Sequence, residues 1–82
     1  MEMTVLLFGR EADVAGRSSV ALRIENAQPT CRDVREALGA AEPSLLPLLC
    51  RGRLAVNHEF VADDRVLTPD DEVALIGMVS GG

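Results

Sequence analysis

Eighty-two residues leave room for one core and no second domain, and a chain of this length buries about 60–65% of the surface its unfolded form exposes. Apolar residues make up 48% and charged residues 26% of the chain, a balance that excludes a disordered polypeptide. Thirteen acidic residues against eight basic ones give a formal net charge of −5, which disfavours nucleic acid and anionic membrane as partners.

Other classes fall away on residue type. Only Phe8 and Phe60 could stack on bases. All eight basic residues are arginine, so no side-chain amine serves for a Schiff base or for isopeptide linkage on this chain. Cys31 and Cys50 are too few for a disulfide framework or a four-ligand cluster. With His58 the only histidine, metal-ligand spacing is missing. No leader-like or membrane-length apolar segment is visible, which points to the cytoplasm.

In chain order, Met3 to Phe8 reads as a near-continuous apolar strand ended by Gly9. Arg10 to Ala15 suits a short helical turn closed by Gly16. Ser19 to Ile24 alternates Val20, Leu22 and Ile24 with Ser19, Ala21 and Arg23, as a strand with one wet face does. Thr30 is a good N-cap with Asp33 three residues on, predicting a capping box and the main helix. Cys31, Val34, Leu38 and Ala41 form its apolar stripe. Pro43 limits that helix, and Pro47 confines the leucine-rich stretch Ser44 to Cys50 to a short turn.

Leu54 to Val56 reads as a short strand, Asn57-His58-Glu59 as a turn, and Phe60-Val61 as the return. Thr68-Pro69-Asp70-Asp71 is a tight turn with proline at its second position. Glu72 to Val79 is the last strand. The first and last strands lack strict alternation and therefore belong at the sheet centre. The expected fold is an α+β roll, a mixed sheet with one main helix packed across it. Whether the sheet's other face stays open as a partner surface or is covered by residues 45–49 is left undecided by the pattern.

The chain ends Val79-Ser80-Gly81-Gly82. Two glycines let a backbone and its carboxylate enter a channel too narrow for side chains. A partner that converted the carboxylate to an acyl phosphate or adenylate would present it to a nucleophile without steric obstruction. The alternative is an ordinary frayed terminus.

The opening Val5-Leu6-Leu7-Phe8, the segment Val56-Asn57-x-Glu59-x-Val61, and Asp71-Glu72-Val73-Ala74-Leu75-Ile76 running into Val79-Ser80-Gly81-Gly82 together resemble the ubiquitin-like β-grasp sulfur carriers. Among these they are most similar to the small subunits of molybdopterin synthases, over essentially the whole chain. The resemblance implies a single β-grasp domain over 1–82 with 77–82 as an extended tail, parallel first and last strands at the sheet centre, and no cofactor or metal held by this chain. It also implies that the Gly82 carboxylate is adenylated by a ubiquitin-activating-like adenylyltransferase using ATP, then converted to a thiocarboxylate by a sulfurtransferase. Gly81 would supply slim backbone beside it. The sulfur would pass to a cyclic pyranopterin in the large synthase subunit, which carries the catalytic groups of a heterotetramer.

Gly77 to Gly82, fully extended, reach about 20 Å at up to ~3.6 Å per residue, enough for a buried partner site. Two departures stand out. Gly77-Met78 occupies a place where many members of the family carry two prolines, and Ala12 one where many carry an arginine, with Arg10 nearby as a substitute. Within the same mechanism the alternative is a carrier for thiamine or another sulfur metabolite. Outside it, the alternatives are a protein modifier joined through Gly82 and an inert β-grasp binding module.

Overall fold

A computed structural model describes residues 1–77. The expected end of the last strand at Val79, and the tail glycines Gly81 and Gly82, lie outside the described residues.

The elements follow in the order β1 (Glu2–Leu7), α1 (Gly9–Ala15), β2 (Ser19–Arg23), α2 (Cys31–Ala41), a 3-10 turn (Pro43–Leu45), α3 (Leu46–Leu49), β3 (Gly52–Val56), β4 (Glu59–Phe60) and β5 (Val73–Gly77). The strands form one sheet in the order β2-β1-β5-β3-β4. β1 and β5 run parallel, in register Val5 to Val73 and Leu7 to Leu75, and every other pairing is antiparallel. This is the mixed α+β roll that the sequence predicts, with the parallel first and last strands that the resemblance implies, and β5 is its middle strand.

Period-two alternation decides which residues enter the core. Val5 and Leu7 from β1, Val20 and Leu22 from β2, Leu54 and Val56 from β3, and Val73 and Leu75 from β5 are all buried. Against them α2 lays Cys31, Val34 and Leu38. Its N-terminus is the expected capping box: the Thr30 hydroxyl accepts from the Asp33 amide, and the Asp33 carboxylate accepts from the Thr30 amide at 2.9 Å. The next two orphan donors of the first turn find carbonyls in the loop after β4, Cys31 N–H on Arg65 at 3.0 Å and Arg32 N–H on Asp63 at 2.9 Å.

Two expectations are corrected, and one question that the sequence left open is settled. Phe8 leaves the first strand and becomes the extended N-cap of α1, because Gly9 turns the chain with φ +53°. Ala41 is exposed at the end of α2, and Gly39 takes its place on the buried stripe, where a Cβ would lie 2.7 Å from Leu46 Cδ2. The leucine-rich segment packs on the helix side of the sheet, with Leu45 and Leu49 inside the core, so it does not cover the opposite face.

One contact unites the helical layer and had no sequence signature. The Arg35 guanidinium, on α2, donates to the Leu49 carbonyl at 2.6 Å, the Gly52 carbonyl at 2.9 Å and Asp63 Oδ1 at 3.0 Å. Truncation strands two carbonyls and a carboxylate at once. Arg35→Ala is expected to lower the unfolding free energy by about 2–4 kcal/mol, read as a shift in urea midpoint at unchanged slope.

Candidate functional site

Residues of β5 alternate between the core and a second face of the sheet. Ala74 and Ile76 point away from the helices, and cross-strand pairing puts Leu6 beside Ala74, Ala55 opposite Ala74, and Phe60 opposite Ala55. These side chains, with Phe8, line a shallow depression of about 330 Å³ whose rim carries His58 and Glu72. Phe8 and Phe60, the only aromatic residues of the chain, remain 52% and 49% exposed. The Arg53 guanidinium lies over one face of the Phe60 ring, 4.9 Å from its centroid. Of the two arrangements the sequence left undecided, the open face is the one found among the described residues.

The hairpin beside this face is locked onto the start of β5. Asn57 and His58 both adopt positive φ, 53° and 72°, the conformation that a two-residue hairpin turn of the I′ type demands and that these residue types tolerate. The Asn57 side chain then donates to Asp71 Oδ1 and accepts from the Glu72 amide, each at 2.9 Å, while its own amide donates to the Glu72 carbonyl at 2.8 Å. His58 Nε2 lies 2.9 Å from Glu72 Oε2. Asn57 and Glu72 of the recognisable segments thus serve to fix where β5 begins.

Asp71 closes the turn from Thr68: its amide donates to the Thr68 carbonyl at 3.1 Å, and its carboxylate accepts from the Thr68 amide at 2.9 Å. The Thr68 backbone bond, followed by the Asn57 bond, holds the Asp71 carboxyl below its ordinary range. A depressed folded-state pKa gives stability that is complete above the unfolded value of about 3.9 and is lost as pH falls through the folded value. Asp71→Ala is therefore expected to destabilise the protein by about 1 kcal/mol at neutral pH. The difference from the parent should shrink below about pH 3.9, measured by denaturant titration across pH.

The remaining titratable candidates do not assemble into a catalytic group. Cys31 is fully buried in α2's first turn, and burial pushes its thiol up, with Asp63 adding to the rise and Arg65 and Arg35 opposing it. Desolvation overrides the helix-end effect that would have activated it. Cys50 is exposed, and its thiol donates to the Pro47 carbonyl. Arg51 is an exposed turn residue and Arg10 an exposed residue of α1. Among the described residues no three His, Cys, Asp or Glu side chains converge as a metal site would require. No helix among them is long and apolar enough to cross a membrane. Gly81 and Gly82 follow the end of β5 and lie outside the described residues.

A protein-family model described as the ThiS family matches residues 5–82. Over 82 residues the chain is 32% identical to the molybdopterin synthase sulfur carrier subunit of Arabidopsis thaliana, covering all of this chain and 84% of that protein. Its fold superposes on the crystal structure of SAMP1, the small archaeal modifier protein 1, from Haloferax volcanii with a TM-score of 0.85 at 29% identity, over the whole of both chains. It also superposes on a chain of the complex of subunits 1 and 2 of the molybdopterin-converting factor of Helicobacter pylori (TM-score 0.71, 20% identity, the whole of both chains), a likeness of fold. The family match runs from the middle of β1 to the final glycine, across the strands that build the open face, and the chain belongs to the ThiS family.

Proposed function

We propose that the chain is the sulfur carrier subunit of a molybdopterin synthase. The observation that carries this reading is the end-to-end similarity to the plant subunit of that name. The central β5 supports it, because hydrogen-bonded neighbours on both sides make that strand a rigid mount for whatever follows Gly77.

In this reading the Gly82 carboxylate is the working group. An ionised carboxylate resists nucleophilic attack, so a ubiquitin-activating-like adenylyltransferase first joins it to AMP, with pyrophosphate leaving from ATP. A sulfur nucleophile delivered by a sulfurtransferase then displaces AMP, leaving a thiocarboxylate on Gly82. A thioacid is more acidic than a thiol, so this sulfur is anionic at neutral pH and needs no base from its own chain. Gly81 keeps the approach free of side chains. The open face of Leu6, Phe8, Phe60, Ala74 and Ile76 docks on the large subunit, which supplies the catalytic groups acting on the cyclic pyranopterin. ATP and the pterin belong to the partners' sites.

A second reading, a protein modifier joined through Gly82 to lysines of other proteins, is favoured by the likeness to the archaeal modifier. The two readings diverge in product. Intact-mass analysis of the chain from its native cell is expected to find one terminal oxygen replaced by sulfur. Recovery only as adducts on lysines of other proteins would favour the modifier and contradict the carrier.

A further inference from the structure

Glu11, in the first turn of α1, is only 5% exposed. A leucine would fill the same volume without the cost of taking a carboxylate out of water, so its burial calls for a role beyond filling. Its surroundings supply one. α1 packs against β5, and by strand alternation Gly77 shares the helix-side face of Val73 and Leu75. A Cβ built on Gly77 would fall on Glu11 Oε1, 2.5 Å from Oε2 and 2.7 Å from Cδ, far inside the ~3.5 Å of an ordinary contact. The carboxylate therefore occupies the space a side chain at 77 would take.

Because the Glu11 carboxylate atoms are the free end of a flexible side chain, a side chain at 77 would displace the carboxylate rather than the strand. Gly77 pairs with Gly52 of β3. Gly52 is itself enclosed: a Cβ there would lie 2.9 Å from Leu75 Cδ1 and 3.3 Å from the Leu48 carbonyl oxygen. The end of β5 is thus held by Glu11 on its helix side and by a closely packed glycine at its edge.

We propose that Glu11 is a positioning residue for sulfur transfer: its carboxylate seats Gly77 and thereby sets the direction in which the sulfur-bearing terminus leaves the sheet. The proposal rests on the sulfur carrier reading. It predicts an energetic coupling between positions 11 and 77 that is visible in the rate of transfer.

The test uses thiocarboxylated full-length chains, parent and variants, with the large subunit and the cyclic pyranopterin in single turnover. Gly77→Ala should lower the rate at saturating large subunit at least ~10-fold, because small misplacements of a reacting atom are costly. The half-saturating concentration should stay within about twofold, since docking is untouched. Glu11→Ala alone should lose as much rate, Glu11→Gln less, and Glu11→Ala/Gly77→Ala no more than either single variant, since each removes the same seat. A parent-like rate in Glu11→Ala, or losses that multiply in the double variant, would overturn the proposal. So would a loss confined to thermal stability with an unchanged rate per folded molecule. If the parent thiocarboxylate transfers no sulfur, the carrier reading fails separately, and the coupling is read instead from amide exchange at Ile76 and Gly77. Faster exchange in Glu11→Ala that the double variant does not increase further supports the seat, and unchanged exchange rejects it.

Discussion

Deleting Gly82 is expected to reduce molybdopterin formation at least ~10³-fold, about 4 kcal/mol in the barrier, while the thermal midpoint moves by no more than about 1 °C. The reasoning is geometric. Removing one residue withdraws the terminal carboxylate by up to ~3.6 Å, whereas a displacement of ~1 Å in a positioned reacting group can already cost ~10²-fold. Among the described residues the buried core, built from strands, α2 and the leucine segment, lies within residues 5–75. Activity measured with purified partners, beside a thermal melt of each protein, separates chemistry from folding. A deletion variant of parental activity would remove Gly82 from the mechanism.

The second large effect is expected on the open sheet face. Ile76→Asp places a carboxylate among Leu6, Ala55 and Phe60, where docking would bury it unpaired. Loss of a central interface anchor costs at least ~2 kcal/mol, so the Kd for the large subunit should rise ~30-fold or more. Phe60→Ala, on the exposed edge strand β4, should act in the same direction without touching the buried core. Val66 is comparably exposed and apolar but lies in the loop bridged to Thr30. Val66→Asp should change the Kd less than about twofold, within the range of near-neutral contacts. Calorimetric titration of the three variants, each checked for a parental melt, measures this. Equal effects at Ile76 and Val66 would show that the face is not the docking surface.

The legible parts of this fold are those whose causes are local. Thr30 and Asp33 announce α2 because a capping box is complete within four residues. Val20, Leu22 and Ile24 announce β2 because alternation is a property of one strand. Gly16 ends α1 in a left-handed conformation, φ 71°, which glycine accepts without a Cβ penalty. Where a partner distant in sequence decides, the pattern is silent. Arg35 looks like any helix-surface arginine, yet it binds groups 14, 17 and 28 residues away. Glu11 reads as a solvated residue of a short helix until the end of β5 is laid against it. The leucines at 45–49 could serve either face of the sheet, and only the path of the chain after α2 sends Leu45 and Leu49 to the helix side.

The same distinction applies to the site. The chemistry proposed for it was readable in the tail glycines and in the segments that resemble the sulfur carriers, because two glycines leave a terminal carboxylate unobstructed. Its mounting was not. That Asn57 ties the hairpin to Asp71 and Glu72, and that Ala74 and Ile76 form an open face with Phe60, follow from register, which the sequence carries only through the whole fold.

The central claim is that Gly82 carries sulfur to a pterin. The most direct measurement mixes the chain, verified by mass as the Gly82 thiocarboxylate, with a competent large subunit and the cyclic pyranopterin, in the absence of ATP and the activating enzyme. Molybdopterin should form in proportion to the thiocarboxylate consumed, with the chain returned as the plain carboxylate. No molybdopterin, with the thiocarboxylate intact, would contradict the account.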